Sequence, residues 1–72
     1  MVADTKTIGV VLNGKALETA ARNVCDLVQE TGLANVKVAT AVNGHFVPTV
    51  QRATTFLQPG DRVEIVSPRQ GG

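Results

Sequence analysis

The dipeptide Asn-Gly occurs twice, at Asn13-Gly14 and Asn43-Gly44, and each time it interrupts a run of β-branched and aliphatic residues. A two-residue link of this kind closes a hairpin through a type I′ turn, which needs positive φ at both central positions. The first pair separates Thr7-Ile8-Gly9-Val10-Val11-Leu12 from Lys15-Ala16-Leu17-Glu18-Thr19-Ala20. In that register Val10 faces Leu17 and Ile8 faces Thr19, which gives one side of the hairpin to a core. The second pair joins a strand expected over Val36 to Val42 to His45-Phe46-Val47-Pro48. Val36, Val38, Thr40 and Val42 share one side of the longer strand, and Ala39 and Ala41 share the other. Pro48 has no N–H for a ladder, so its strand is short and belongs at an edge.

Between the two turns, Val24, Leu27, Val28 and Thr31 recur at helical spacing, while Asp26, Gln29 and Glu30 lie off that stripe. Asn23 is a suitable N-cap, Asp26 sits in the positive first turn, and Gly32 suits the left-handed position after the helix. A helix of roughly two turns does not survive alone in water and must be held by tertiary contacts. After Pro48 the pattern weakens. One helical turn around Val50 to Ala53 is expected, with Phe56 or Leu57 anchoring the segment. Gln58-Pro59-Gly60-Asp61 then forms a turn whose Pro and Gly fit the centre of a type II geometry, and Arg62-Val63-Glu64-Ile65-Val66 alternates as a final strand with Val63 and Ile65 on one face.

With 72 residues the chain forms one domain with a small core. That core must be aliphatic, because Trp and Tyr are absent and Phe46 and Phe56 are the only aromatics. The net charge is +1, with cations and acids interleaved, so no clustered basic surface for tracking phosphates is expected. The single Cys25 excludes an intramolecular disulfide and a multi-cysteine zinc site; beside an apolar stripe it reads as a small hydrophobe. His45 has no second ligand at metal-binding spacing and reads as an exposed polar residue. The residues Met1-Val2-Ala3-Asp4 show neither the basic nor the apolar region of a signal peptide, and no apolar run approaches a membrane span. A cytoplasmic, monomeric protein that binds neither nucleic acid nor membrane is the expectation. No acid–base pair, nucleophile triad or phosphate loop can be assembled, so the chain is not expected to be an enzyme.

The organisation that follows is a loose lead over residues 1–6, a domain over 7–66 and a flexible tail over 67–72. Pro68 fixes its own φ and pushes Ser67 towards an extended conformation, so the tail should leave the final strand as an arm. It ends in Gly71 and Gly72, whose lack of Cβ atoms lets the backbone approach another protein closely. The α-carboxylate of Gly72 is therefore the candidate functional group. Ala39 and Ala41 are small and apolar where a solvated face would be polar; they either sit under a loop or form an apolar docking patch, and docking is the expectation. Arg62 and Arg69 are either solvated charges or contacts for an acidic groove on a partner, with Gln70 beside them.

A hairpin crossed by one helix, followed by further strands in a mixed sheet, describes the α+β, ubiquitin-like β-grasp fold. Residues 7–72 resemble the ThiS family, the sulfur carriers of thiamine biosynthesis. The resemblance rests on Val42-Asn43-Gly44 with Val47-Pro48 behind it, on Leu57 before Pro59-Gly60-Asp61-Arg62-Val63-Glu64-Ile65-Val66, and on Pro68 through Gly72. It implies that a ThiF-like adenylyltransferase, using ATP and magnesium, converts the Gly72 carboxylate to an acyl-adenylate. Sulfur then replaces AMP, and the thiocarboxylate serves a ThiG-like thiazole synthase. Gly71 implies clearance in the channel that leads to the nucleotide, and no cofactor is bound by the chain itself. The departure from the family pattern is the lead at residues 1–6. Two alternatives remain: a MoaD-like carrier for molybdopterin synthesis, which shares the Gly-Gly end, and a TGS-type binding module, which would leave the terminal glycines idle.

Overall fold

The computed structural model describes residues 6–67. Both Asn-Gly pairs close hairpins, with φ of 51° at Asn13 and Asn43, 86° at Gly14 and 84° at Gly44. Strand β1 (Ile8–Leu12) pairs antiparallel with β2 (Lys15–Thr19), and Val10 opposes Leu17 while Ile8 opposes Thr19, the register that the turn dictates. Helix α1 (Val24–Glu30) follows, capped by Asn23, whose Oδ1 accepts the backbone N–H of Asp26 at 2.7 Å. Gly32 takes φ of 83° just beyond the helix, as a left-handed exit requires. The second hairpin joins β3 (Ala39–Val42) to β4 (His45–Val47), and β5 (Arg62–Val66) ends the domain.

The five strands lie in the order β2-β1-β5-β3-β4, with β5 parallel to β1 and antiparallel to β3. This mixed sheet crossed by one helix is the β-grasp arrangement. The last strand in sequence is thus the central strand in space, and the short β4 lies at one edge. Alternation along each strand gives the sheet two unlike faces. The inner one meets α1 in a core of Ala21, Val24, Leu27, Val28, Val38, Leu57, Val63 and Ile65, onto which Ile8, Leu12, Leu17, Leu33 and Val42 pack. Both phenylalanines stay outside it, Phe46 at 69% and Phe56 at 63% exposure. Leu57 is therefore the anchor after Pro48, while Phe56 is largely exposed and its backbone bridges to Asn23.

Two expectations are corrected. The strand expected from Val36 begins at Ala39. Its partner β5 ends with Val66 opposite Ala39, and Val36 instead donates its N–H to Leu33 O at 3.0 Å in a turn. Val38 is buried but lies outside the ladder, its carbonyl taken at 2.7 Å by Nη2 of Arg52. The single turn around Val50 to Ala53 is a 3₁₀ helix over Thr49–Thr54, and it buries no side chain. Arg52 holds it, since Nε of the same guanidinium donates to Oγ1 of Thr40 at 3.2 Å. Thr40 in turn donates to Val47 O at 2.8 Å, so a hydroxyl only 1% exposed is fully used. Thr19, equally buried, accepts the N–H of Ala21 at 3.0 Å and donates to the Glu30 carboxylate, tying the end of β2 to the end of α1.

The parallel ladder between β1 and β5 has only two register pairs, Val11 with Arg62 and Leu12 with Val63, because β1 turns away at Gly14. Asn13 prolongs it with its side chain. Its Oδ1 accepts the N–H of Ile65 at 3.0 Å and its Nδ2 donates to Ile65 O at 3.1 Å, so the carboxamide stands in for the next peptide unit of β1. Asn13→Gly preserves the positive φ and removes both bonds. It should destabilise the domain by about 1–3 kcal/mol, read as a lower urea midpoint; an unchanged midpoint would show that the clamp contributes nothing.

Candidate functional site

The face of the sheet turned away from α1 carries the residues between the core positions. On β3 these are Ala39 and Ala41, on β5 Arg62, Glu64 and Val66, on β1 Val11, and on β4 Phe46. Register fixes their neighbours. Ala41 stands between Glu64 on β5 and Phe46 on β4, Ala39 opposes Val66, and Val11 opposes Arg62. Ala39 and Ala41 are both half-buried on this face. Phe46 and Val66, at 69% and 55% exposure, stand on either side of them. The result is an apolar centre with a cation and an acid on the same strand.

Arg62 has a fixed backbone and an exposed side chain. Its N–H donates to Oδ1 of Asn43 at 2.9 Å and its carbonyl accepts the N–H of Asn43 at 2.7 Å. Nδ2 of Asn43 reaches Oδ1 of Asp61 at 3.0 Å, and Oδ2 of Asp61 accepts the N–H of Gln58 at 2.9 Å. Each Asn-Gly turn therefore sets a hairpin and also grips β5, Asn43 where the strand begins and Asn13 close to where it ends. The guanidinium of Arg62 is left to solvent at the start of the patch, and Val66 lies at its other end, one residue before the last described position, Ser67.

The structure brings Ala39, Ala41 and Arg62 onto one face. Arg69, Gln70, Gly71 and Gly72 lie outside the described residues. Phe46, Val66 and Glu64 complete the face and are not among the residues expected from the sequence. The signal for Phe46 was present: a two-residue turn at Asn43-Gly44 forces Ala41 opposite Phe46, as surely as the first turn forces Val10 opposite Leu17. Cys25 is half-buried in the first turn of α1, off the helix face formed by Val24, Leu27 and Val28, and His45 is exposed. Among the described residues no three His, Cys, Asp or Glu side chains gather as a metal site, and no helix is long and apolar enough to cross a membrane.

A family model described as the ThiS family matches residues 7–72. Among solved structures the chain is similar to the crystal structure of thiamine biosynthesis protein ThiS from Geobacter metallireducens. That protein shares 25% sequence identity with a TM-score of 0.76, and the alignment covers 90% of this chain and 100% of the other. No curated protein matches.

Phe46 lies in the open, so Phe46→Ser should change the unfolding free energy by less than about 1 kcal/mol, whereas Leu27→Ala in the core should cost about 2–5 kcal/mol. Urea unfolding of the two variants checks the contrast; equal losses would place Phe46 in the core.

Proposed function

We propose, because this chain belongs to the ThiS family, that it is a sulfur carrier of thiamine biosynthesis whose working group is the α-carboxylate of Gly72. The observation that carries this reading is the extent of the family match, which runs from the first strand through β5 to Gly72 itself. The fold supports it. A strand gripped by backbone ladders on both sides and by two asparagines gives whatever follows Val66 a fixed point of departure.

The chemistry follows from the ordinary state of a terminal carboxylate, which is ionised at neutral pH with a reference pKa of about 3.3–3.7. It is a poor acceptor for a sulfur nucleophile and a competent nucleophile itself. In the proposed sequence a carboxylate oxygen of Gly72 attacks the α-phosphorus of ATP, and the bond to pyrophosphate breaks. A sulfur nucleophile then adds to the carboxyl carbon and the bond to AMP breaks, which leaves a thiocarboxylate. A ThiF-like adenylyltransferase supplies the nucleotide, the magnesium and the stabilisation of developing charge. A ThiG-like thiazole synthase takes the sulfur. Gly71 and Gly72 have no Cβ to meet the wall of a narrow channel, and Arg69 and Gln70 are the side chains that the partner's entrance would read.

The length of the tail bears on where that partner docks. Residues 67–72 span at most about 20 Å when fully extended. An enzyme that reacts with Gly72 therefore works within about 20 Å of Val66, and the apolar face of Ala39, Ala41, Phe46 and Val66 is the docking surface proposed for it. Arg62 offers that partner a cation at the far end of the same strand.

Incubation with a ThiF-like enzyme, ATP, magnesium and a sulfur source, followed by intact-mass measurement, should show one oxygen of the C-terminal residue replaced by sulfur. No exchange with activating enzymes of either the thiazole or the molybdopterin route would overturn the carrier reading. Ala41→Glu should slow thiocarboxylate formation on the order of tenfold with an unchanged unfolding midpoint. Formation at the wild-type rate would move docking away from this face.

A further inference from the structure

An asparagine followed by glycine is chemically labile. The glycine nitrogen attacks Cγ of the asparagine side chain, ammonia leaves, and a cyclic imide forms; water then opens either imide carbonyl to give aspartate or isoaspartate. The net change replaces a side-chain NH₂ by OH, with no oxidant or reductant. Both turns of this protein present that sequence, and nothing lies within 4 Å of where a Cβ would stand on Gly14 or Gly44. What opposes reaction is the hold on the carboxamides.

At Asn13 both polar atoms are bonded to the backbone of Ile65 in a part-buried position. At Asn43 Oδ1 is bonded to the backbone of Arg62, but Nδ2 depends on the side-chain carboxylate of half-buried Asp61, through an exposed hydrogen bond. We propose that Asn13 and Asn43 are modification sites, convertible to aspartate and isoaspartate, and that their hydrogen bonds to β5 and its preceding turn restrain the reaction. The two sites are restrained unequally. Asn43, held in part by an exposed bond to one side chain, converts first; Asn13, held by strand backbone, converts only when β5 opens.

The products act on the same bonds. Aspartate at 13 turns an acceptor oxygen towards Ile65 O, where Nδ2 had donated, and aspartate at 43 sets a second carboxylate against Asp61. Isoaspartate adds a methylene to the backbone of a turn whose register is fixed by its length. Conversion at Asn13 therefore loosens the last two residues of the final strand, and conversion at Asn43 loosens its first.

Peptide mass spectrometry follows both sites, because each conversion adds about 1 Da. At mildly alkaline pH the folded protein should convert at both sites on the order of tenfold or more slowly than the same chain in urea, with Asn43 ahead of Asn13. Asp61→Ala should speed conversion at Asn43 several-fold and leave Asn13 unchanged, and Asp61→Asn, which keeps a carbonyl acceptor, should restore the slow rate. Equal rates in folded and unfolded protein would overturn the proposal. So would an Asp61→Ala variant that leaves Asn43 unaffected, or that speeds both sites alike through general loosening.

Discussion

The structure depends on how its central strand is held. Strand β5 buries Val63 and Ile65 beneath α1, carries Arg62, Glu64 and Val66 on the open face, and leads into the tail. Its antiparallel side is secured by four register pairs with β3, but its parallel side has only two with β1. The carboxamide of Asn13 makes up the shortfall by offering one acceptor and one donor at the spacing of a peptide group. No other short side chain that tolerates positive φ can do both, since aspartate lacks the donor and glycine lacks a side chain.

The division of apolar residues between the two faces follows from chain size. A short chain has little interior, and here aliphatic side chains of similar size fill it: valine, leucine, isoleucine and alanine between one helix and one sheet. An exposed aromatic forgoes the stabilisation of roughly 1.5–3 kcal/mol that burying such a side chain provides. Phe46 forgoes it on the sheet face that has no covering layer among the described residues. Any partner that covered that face would recover part of this contribution at the moment of association.

Most of the fold was legible because short-range chemistry determines it. The two turns fixed strand registers, the Asn23 cap and Gly32 fixed the helix, and alternation in β5 fixed which residues are buried. The start of β3 was misread because Val36 and Val38 continue an alternating pattern that their partner strand does not extend to meet. Where a ladder stops is decided across the sheet, not along the strand. The guanidinium of Arg52 was invisible for a related reason: it bonds Thr40 and Val38, distant in sequence, and nothing in local pattern marks an arginine as a structural brace. On the open face, the shared side of Ala39 and Ala41 was legible from the period of two, and that of Arg62 from its alternation with Val63. Phe46 needed the register of the second hairpin carried one step further.

The edges of the sheet have a consequence for the molecule in solution. An open sheet offers unpaired N–H and C=O groups along its outermost strands, and these invite pairing with other chains. Here one edge, β4, is three residues long and is ended by Pro48, and the other, β2, carries Lys15 and Glu18 along its short length. Both are poor templates for a further strand. The face can therefore remain open and apolar while the rims resist self-assembly, so the protein can expose a sticky surface without polymerising through its backbone.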